Sequence, residues 1–149
     1  MWTNSSKVLV GLLIVAVVCI LAYFAKRHSP NKDDAKLYEV RQLYSQLELP
    51  PDFNETGSDF MSKAELAQEG KYFSSKAKYE EVKGFFVQHL TPTVWVLVED
   101  RSMTDWGRDL GGRQLKFRKG EYWIVIEYAG EKAADHWNYA VGVEWKKGV

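Results

Sequence analysis

The sequence predicts an α+β protein in which an N-terminal transmembrane helix precedes a small domain. In that domain an antiparallel sheet of about five or six strands packs against one or two helices. Three observations predict it: an uncharged apolar run near the N-terminus, an apolar stripe at helical spacing in residues 79–90, and apolar–polar alternation in residues 113–146. We expect a tail and single anchor over residues 1–29, a spacer and amphipathic helix over 30–51, and the α+β domain over 52–149.

The anchor is predicted from an apolar run that begins at Val8 and ends at Ala25 without a charged residue. As a helix rising about 1.5 Å per residue, it would reach about 27 Å, close to the hydrocarbon thickness of a bilayer. Trp2 precedes the run and Tyr23 lies near its end, where aromatic residues are typical of membrane interfaces. A cleaved signal peptide and a lipoprotein processed at Cys19 are alternatives, but both lack small residues where cleavage requires them. The favoured interpretation is an uncleaved single-pass signal anchor.

Two opposing arguments bear on the side of the membrane. Lys7 precedes the run, whereas Lys26, Arg27, Lys32 and Lys36 follow it, and this excess of positive charge favours a cytoplasmic domain. A short, mildly basic head before an apolar segment is, however, also typical of a tethered exported domain. We expect the domain to be extracytoplasmic, with a cytoplasmic-facing domain as the alternative.

Two helices are expected. The first is expected to end at Pro50-Pro51. It carries an apolar stripe made of Leu37, Val40, Leu43, Tyr44 and Leu47. We expect this stripe to pack on the following domain or, alternatively, on a partner helix. The second covers residues 79–90. Between the helices, residues 52–62 are expected to form a turn-rich segment that leads into the domain. Residues 64–74 are expected to form a strand, in preference to a short helix capped by Ser62 and Glu65.

Four further strands are predicted over residues 93–98, 113–118, 121–129 and 136–146. The last three alternate, so that one face of each is apolar and the other mainly polar. This pattern predicts an antiparallel sheet covered on one side. Because no parallel crossover is indicated, a doubly wound nucleotide-binding fold is not expected.

The composition and motifs favour a non-enzymatic protein. With 20 basic and 20 acidic residues the chain has no net charge, which argues against nucleic-acid binding through bulk electrostatics. The single cysteine excludes an intramolecular disulfide and a thiolate zinc site. Nucleophile-elbow, P-loop and dinucleotide-binding motifs are absent from the sequence, and His28, His89 and His136 lack metal-ligand spacing. No cofactor or metal is therefore expected.

Residues 99–112 are expected to form a long loop between two strands, and long loops are often functional. Trp106 at its centre is expected to pack on the end of the sheet or, alternatively, to be exposed as a contact residue. An aromatic residue beside Arg101 and Arg108 is typical of a binding hot spot, so these three are the candidate partner contacts. The loop also contains Asp100, Asp105 and Asp109. In an alternative hypothesis, these carboxylates are catalytic groups or ligand-binding groups of an enzyme.

Several short motifs carry a resemblance to a class of proteins. They are Leu49-Pro50-Pro51-Asp52-Phe53, the helix Tyr79-Glu80-Glu81-Val82-Lys83-Gly84-Phe85-Phe86, and Leu115-Lys116-Phe117-Arg118-Lys119-Gly120. With these motifs the chain resembles uncharacterised small bacterial envelope domains that are membrane-anchored or lipoproteins. The resemblance implies an exported, non-enzymatic domain. It also leads us to expect glycine immediately before Trp95, whereas this chain has Val94 at that position.

The sequence thus favours a membrane-tethered, non-enzymatic interaction module with a protein partner in the cell envelope. The alternative is a small hydrolase or ligand-binding enzyme that uses the acidic residues of the 99–112 loop.

Overall fold

The structure, a computed structural model, describes residues 32–133 and 136–148. The apolar run from Val8 to Ala25 lies outside the described residues, as do residues 26–31 that follow it. Within the described ranges, no helix is both long and apolar enough to cross a bilayer.

The described domain is α+β, with two α-helices packed against one six-stranded antiparallel sheet, which confirms the predicted class and sheet type. The helices are α1 (Lys32–Ser45) and α2 (Tyr79–Leu90). The strands are β1 (Asn54–Lys63), β2 (Leu66–Ser74), β3 (Val96–Asp105), β4 (Arg108–Lys119), β5 (Tyr122–Tyr128) and β6 (Tyr139–Lys146). Their spatial order is β1–β2–β6–β5–β4–β3, so β1 and β3 are the edges.

The core lies between one face of the sheet and the two helices. Alternate residues of β4, β5 and β6, three of the four inner strands, are buried there, namely Leu115, Phe117, Ile124, Ile126, Tyr139, Val141 and Val143. Val40 of α1 and Val82 and Phe86 of α2 belong to the same cluster. The predicted alternation and both helical stripes are confirmed, because their apolar residues are the ones removed from water.

The first turns of α1 are fixed at one end of the sheet. Lys36 Nζ donates a hydrogen bond of 3.1 Å to Tyr122 Oη and lies 5.2 Å from the ring of Trp145. Pairing of Lys119 with Tyr122 places the β4–β5 turn at this same end. We term this end of the sheet the base; it comprises residues 62–66, 93–98, 117–122 and 145–148. The stripe of α1 therefore packs on its own domain.

Residues 54–63 form strand β1, so the prediction of a turn-rich approach over 52–62 is wrong. The strand was missed because it is an edge: among the described residues it pairs with β2 alone, and it buries neither face, as the exposed side chain of Phe60 shows. Without a buried face a strand lacks apolar alternation. Ala64 and Glu65 form the turn between β1 and β2. The residues after this turn form strand β2, which confirms the preference for a strand over a helix.

The expected strand over residues 93–98 begins at Val96. The chain leaves α2 through a 3₁₀ turn, Thr91–Thr93, and then passes through Val94, which adopts φ 64°. A β-branched residue is strained in this left-handed region, which glycine adopts without penalty. The structure thus gives a physical reason for expecting glycine before Trp95.

α1 ends at Ser45, so its expected end at Pro50-Pro51 is wrong, and residues 46–53 join it to the sheet. The ring of Phe53 lies 5.0 Å from that of Phe73 and 5.1 Å from that of Tyr139. Asp52 accepts a hydrogen bond of 2.5 Å from Ser75 Oγ and one of 3.2 Å from the Ala77 backbone N–H. The motif from Leu49 to Phe53, which is one of those that carry the resemblance, therefore has a structural role in connecting α1 to the sheet.

Candidate functional site

Residues 99–112 belong to a continuous β-hairpin, so the expectation of a long loop is wrong. Arg113 pairs with Tyr128 at the last register position between β4 and β5, whereas β3 and β4 continue to pair as far as Asp105 and Arg108. The hairpin therefore projects beyond β5, at the end of the sheet opposite the base. Its end, residues 103–112, is termed the tip.

The tip closes through a two-residue turn made of Trp106 and Gly107. Both residues have positive φ, 47° and 81° respectively, as in the type I′ turns whose twist matches that of antiparallel strands. Glycine suits such a position, but a bulky aromatic residue in this region is strained. Backbone strain of this kind often marks a residue kept for its function.

The Trp106 side chain is 97% exposed, so the expectation that it packs on the end of the sheet is wrong and the alternative of an exposed contact residue describes it. A tryptophan ring is a large apolar surface that usually packs or binds. Here the chain holds it in water, on a strained backbone, in the turn that ends the projecting hairpin. Among the sequence candidates, this residue has the geometry of a contact group.

The two candidate arginines lie in different places. Arg108 is in the tip and forms an ion pair with Asp105, so the turn presents an apolar ring between a paired cation and anion. Arg101 lies five residues before Trp106, about 17 Å away along a strand. Its Nη2 donates a hydrogen bond of 3.0 Å to Gln114 Oε1. Of the three candidates, the structure brings together Trp106 and Arg108.

Asp100 anchors the root of the hairpin to α2. Its carboxylate accepts hydrogen bonds of 2.7 Å from Tyr79 Oη, 2.6 Å from Lys83 Nζ and 2.7 Å from Arg113 Nη2. Partial burial by itself raises the pKa of this carboxyl, but the three donors outweigh burial and hold the pKa well below its usual range. Asp100 is thus a fixed anion, which is unsuited to donating a proton in catalysis.

The three aspartates of the alternative enzyme hypothesis each have separate donors. Asp105 is paired with Arg108, and Asp109 Oδ1 accepts a hydrogen bond of 2.9 Å from the Gly111 backbone N–H. Asp100 lies five residues from Asp105 along β3. In the part of the chain that the structure describes, no cluster of three or more His, Cys, Asp or Glu side chains is placed to hold a metal ion.

Three glycines hold the hairpin where it leaves the sheet, and sequence reasoning did not identify them. Gly130 adopts φ 104°, and a Cβ there would lie 2.1 Å from the Leu110 carbonyl oxygen. Gly111 and Gly112 lie beside it, each with backbone atoms within 4 Å of the place a Cβ would take. The close approach needs glycine, so the segment after β5 supports the projecting hairpin from the side.

Comparisons with known proteins find no matching protein family, no matching curated protein and no matching solved structure. The inference of function therefore depends on the residues and geometry described above.

Proposed function

We propose that this chain is a membrane-tethered, non-enzymatic interaction module, and that the tip of its β3–β4 hairpin binds a protein partner in the cell envelope. The observation that carries the proposal is Trp106, which is almost fully exposed on a strained backbone. Arg108 beside it adds a guanidinium that can exchange its intramolecular partner for one on the bound protein. Tryptophan and arginine are the residues most enriched in binding hot spots.

The chemistry of the tip favours a protein partner that offers an apolar pocket. The tip carries two acidic side chains, Asp105 and Asp109, and one basic side chain, Arg108, so its charge does not favour binding to anionic lipid or nucleic acid. The ring of Trp106 is the large apolar group of the turn, so most of the binding energy would come from burying it. The Asp105–Arg108 pair would then form part of a polar rim.

The tether is the run from Val8 to Ala25, and the proposed location of the domain is extracytoplasmic. Lys76 is a suitable reporter because it is exposed, whereas Ser75 beside it is hydrogen-bonded to Asp52. In a Cys19→Ala background, Lys76→Cys should react with an impermeant maleimide in cells whose outer layer alone is permeabilised. Reaction only after lysis would place the domain in the cytoplasm.

Photocrosslinking tests the binding site. A photoreactive phenylalanine analogue at position 106 of the full chain, irradiated in native membranes, should give one adduct of defined mass. The matched control is position 60, because Phe60 is also an exposed aromatic residue but lies on the opposite edge of the sheet. Adducts of equal yield at both positions, or none at position 106, would refute the proposal.

A further inference from the structure

We propose that the base of the domain docks on the surface of the bilayer in which the chain is tethered, with Val94, Val96 and the surrounding basic residues in contact with anionic lipid. The proposal uses the tether of the proposed function but concerns a different surface, at the opposite end of the sheet from Trp106.

The base exposes apolar side chains that its own fold does not use. Val94 is 70% exposed and Val96 61% exposed, and Leu97 and Val98 next to them are partly exposed. Val94 also has φ 64°, a strained conformation for a β-branched residue. Together they form an apolar rim at the start of edge strand β3.

The charge of the base complements an anionic surface. Its four segments contain five basic residues, Lys63, Arg118, Lys119, Lys146 and Lys147, and two acidic ones, Glu65 and Glu121. Lys146 is paired with Glu144 at 2.6 Å; when Glu144 and the five charged residues in the first turns of α1 are counted, a surplus of one positive charge remains. Glu121 accepts hydrogen bonds from Trp145 Nε1 and the Gly148 N–H. Basic residues close to an anionic membrane surface each contribute about 1 kcal/mol of attraction.

The length of chain between the tether and the domain favours the same surface. Six residues separate Ala25 from Lys32, and even fully extended this stretch spans at most about 25 Å. The first turns of α1, which receive this stretch, lie at the base beside Tyr122 and Trp145. The tip is much farther from the base, since β4 alone extends for about 36 Å from Lys119 to Arg108.

Docking of the base would direct Trp106 away from the bilayer. The partner in the proposed function would then lie about 35–40 Å from the membrane surface, on the side facing away from it. Apolar contact and basic charge would hold one end of the domain, while the other end remains available for binding.

Quenching of fluorescent labels by head-group nitroxide lipids tests the proposal. Single labels are placed by Ala64→Cys in the exposed turn at the base and by Lys76→Cys beyond β2 at the opposite end, in the Cys19→Ala full chain. The two sites lie about 25 Å or more apart along β2. In vesicles of phosphatidylcholine with phosphatidylglycerol, the label at 64 should be quenched several-fold more than that at 76.

Two variants identify the contacting residues. Val94→Asn with Val96→Ser should reduce quenching at position 64 to the level at position 76; asparagine tolerates the left-handed conformation, so the fold is retained. Trp106→Ala is the matched control and should leave quenching unchanged. Omitting phosphatidylglycerol or adding salt should weaken quenching at position 64, because the basic surplus contributes.

The outcomes separate docking from tethering. If the chain floats with the vesicles but both labels are quenched equally, or the label at 76 more strongly, docking through the base is refuted and the tether stands. If the chain does not float with the vesicles, the tether fails, and with it both the docking and the membrane part of the proposed function.

Discussion

Val94 and Trp106 lie at opposite ends of β3, and each has a positive φ, 64° and 47° respectively. They are the two non-glycine residues in the described ranges with this conformation, and both side chains are exposed. A left-handed conformation costs an L-residue about 1–2 kcal/mol, and neither side chain recovers this free energy by burial in its own domain. Two strained apolar residues therefore flank β3, one at the base and one at the tip.

Replacing Val94 with glycine should stabilise the fold. Relief of the left-handed strain outweighs the greater freedom of glycine in the unfolded chain, so the free energy of unfolding should rise by about 0.5–1 kcal/mol. Urea unfolding of the full chain in detergent micelles measures it. Val96→Gly is the control and should be destabilising, because Val96 is in a strand. Equal losses in the two variants would show that Val94 is unstrained.

Replacing Trp106 with alanine should leave the free energy of unfolding within about 0.5 kcal/mol of the original, because the ring is exposed. Trp95→Ala, at a buried tryptophan, should lower it by about 3–5 kcal/mol. Thermal or urea unfolding compares the two. A similar loss in both variants would mean that the Trp106 ring packs on the domain, and it would remove the basis for binding through the tip.

Replacing Gly130 with alanine should destabilise the chain by about 3 kcal/mol or more. The new Cβ would meet the Leu110 carbonyl oxygen at 2.1 Å, and φ 104° is unfavourable for alanine. Gly84→Ala is a matched control, since Gly84 lies in α2 with no atom within 4 Å of an added Cβ. That change should stabilise by about 1 kcal/mol. A harmless Gly130→Ala would contradict the close packing at the root of the hairpin.

Replacing Asp100 with asparagine should lower the free energy of unfolding by about 2–3 kcal/mol at neutral pH, because three donors lose a charged acceptor. The folded-state pKa of Asp100 is depressed, so its contribution is present above the unfolded pKa of about 4 and is lost as pH falls towards the folded value. The variant should therefore lose less stability than the original chain in this acidic range.

The control for Asp100 is Asp105→Asn at the tip. Its pair with Arg108 is exposed, and exposed pairs contribute at most about 1 kcal/mol. Acid titrations of unfolding that gave the same slope for the original chain and the Asp100 variant would contradict the role assigned to this carboxylate.

The sequence predicted the parts of the fold that bury one face. Strands β5 and β6 and the two helices show their periods because alternate or every third and fourth residues, such as Ile124, Val141 and Val82, enter the core. The edge strand β1 and the projecting hairpin bury neither face, so hydrophobic periodicity did not indicate them.

The candidate site was predicted in its residues but not in its geometry. The sequence singled out Trp106 as a candidate contact, but its exposure depends on a tight turn that the sequence did not predict. A Trp-Gly pair is not among the usual dipeptides of type I′ turns, so the 99–112 segment read as a loop. Arg101 and Arg108 are separated because of the strand register. Gly130 is required because two backbone segments approach closely. Neither feature can be predicted from the residues next to it in the sequence.

The alignment of base and tip along the strands has a mechanical consequence. If the tether pulls on the base while a partner holds Trp106, the load runs parallel to the strands and therefore perpendicular to the hydrogen bonds between them. Such a load shears many hydrogen bonds at once instead of opening them one by one. With both attachments in place, the hydrogen bonds between the strands would bear the tension in shear.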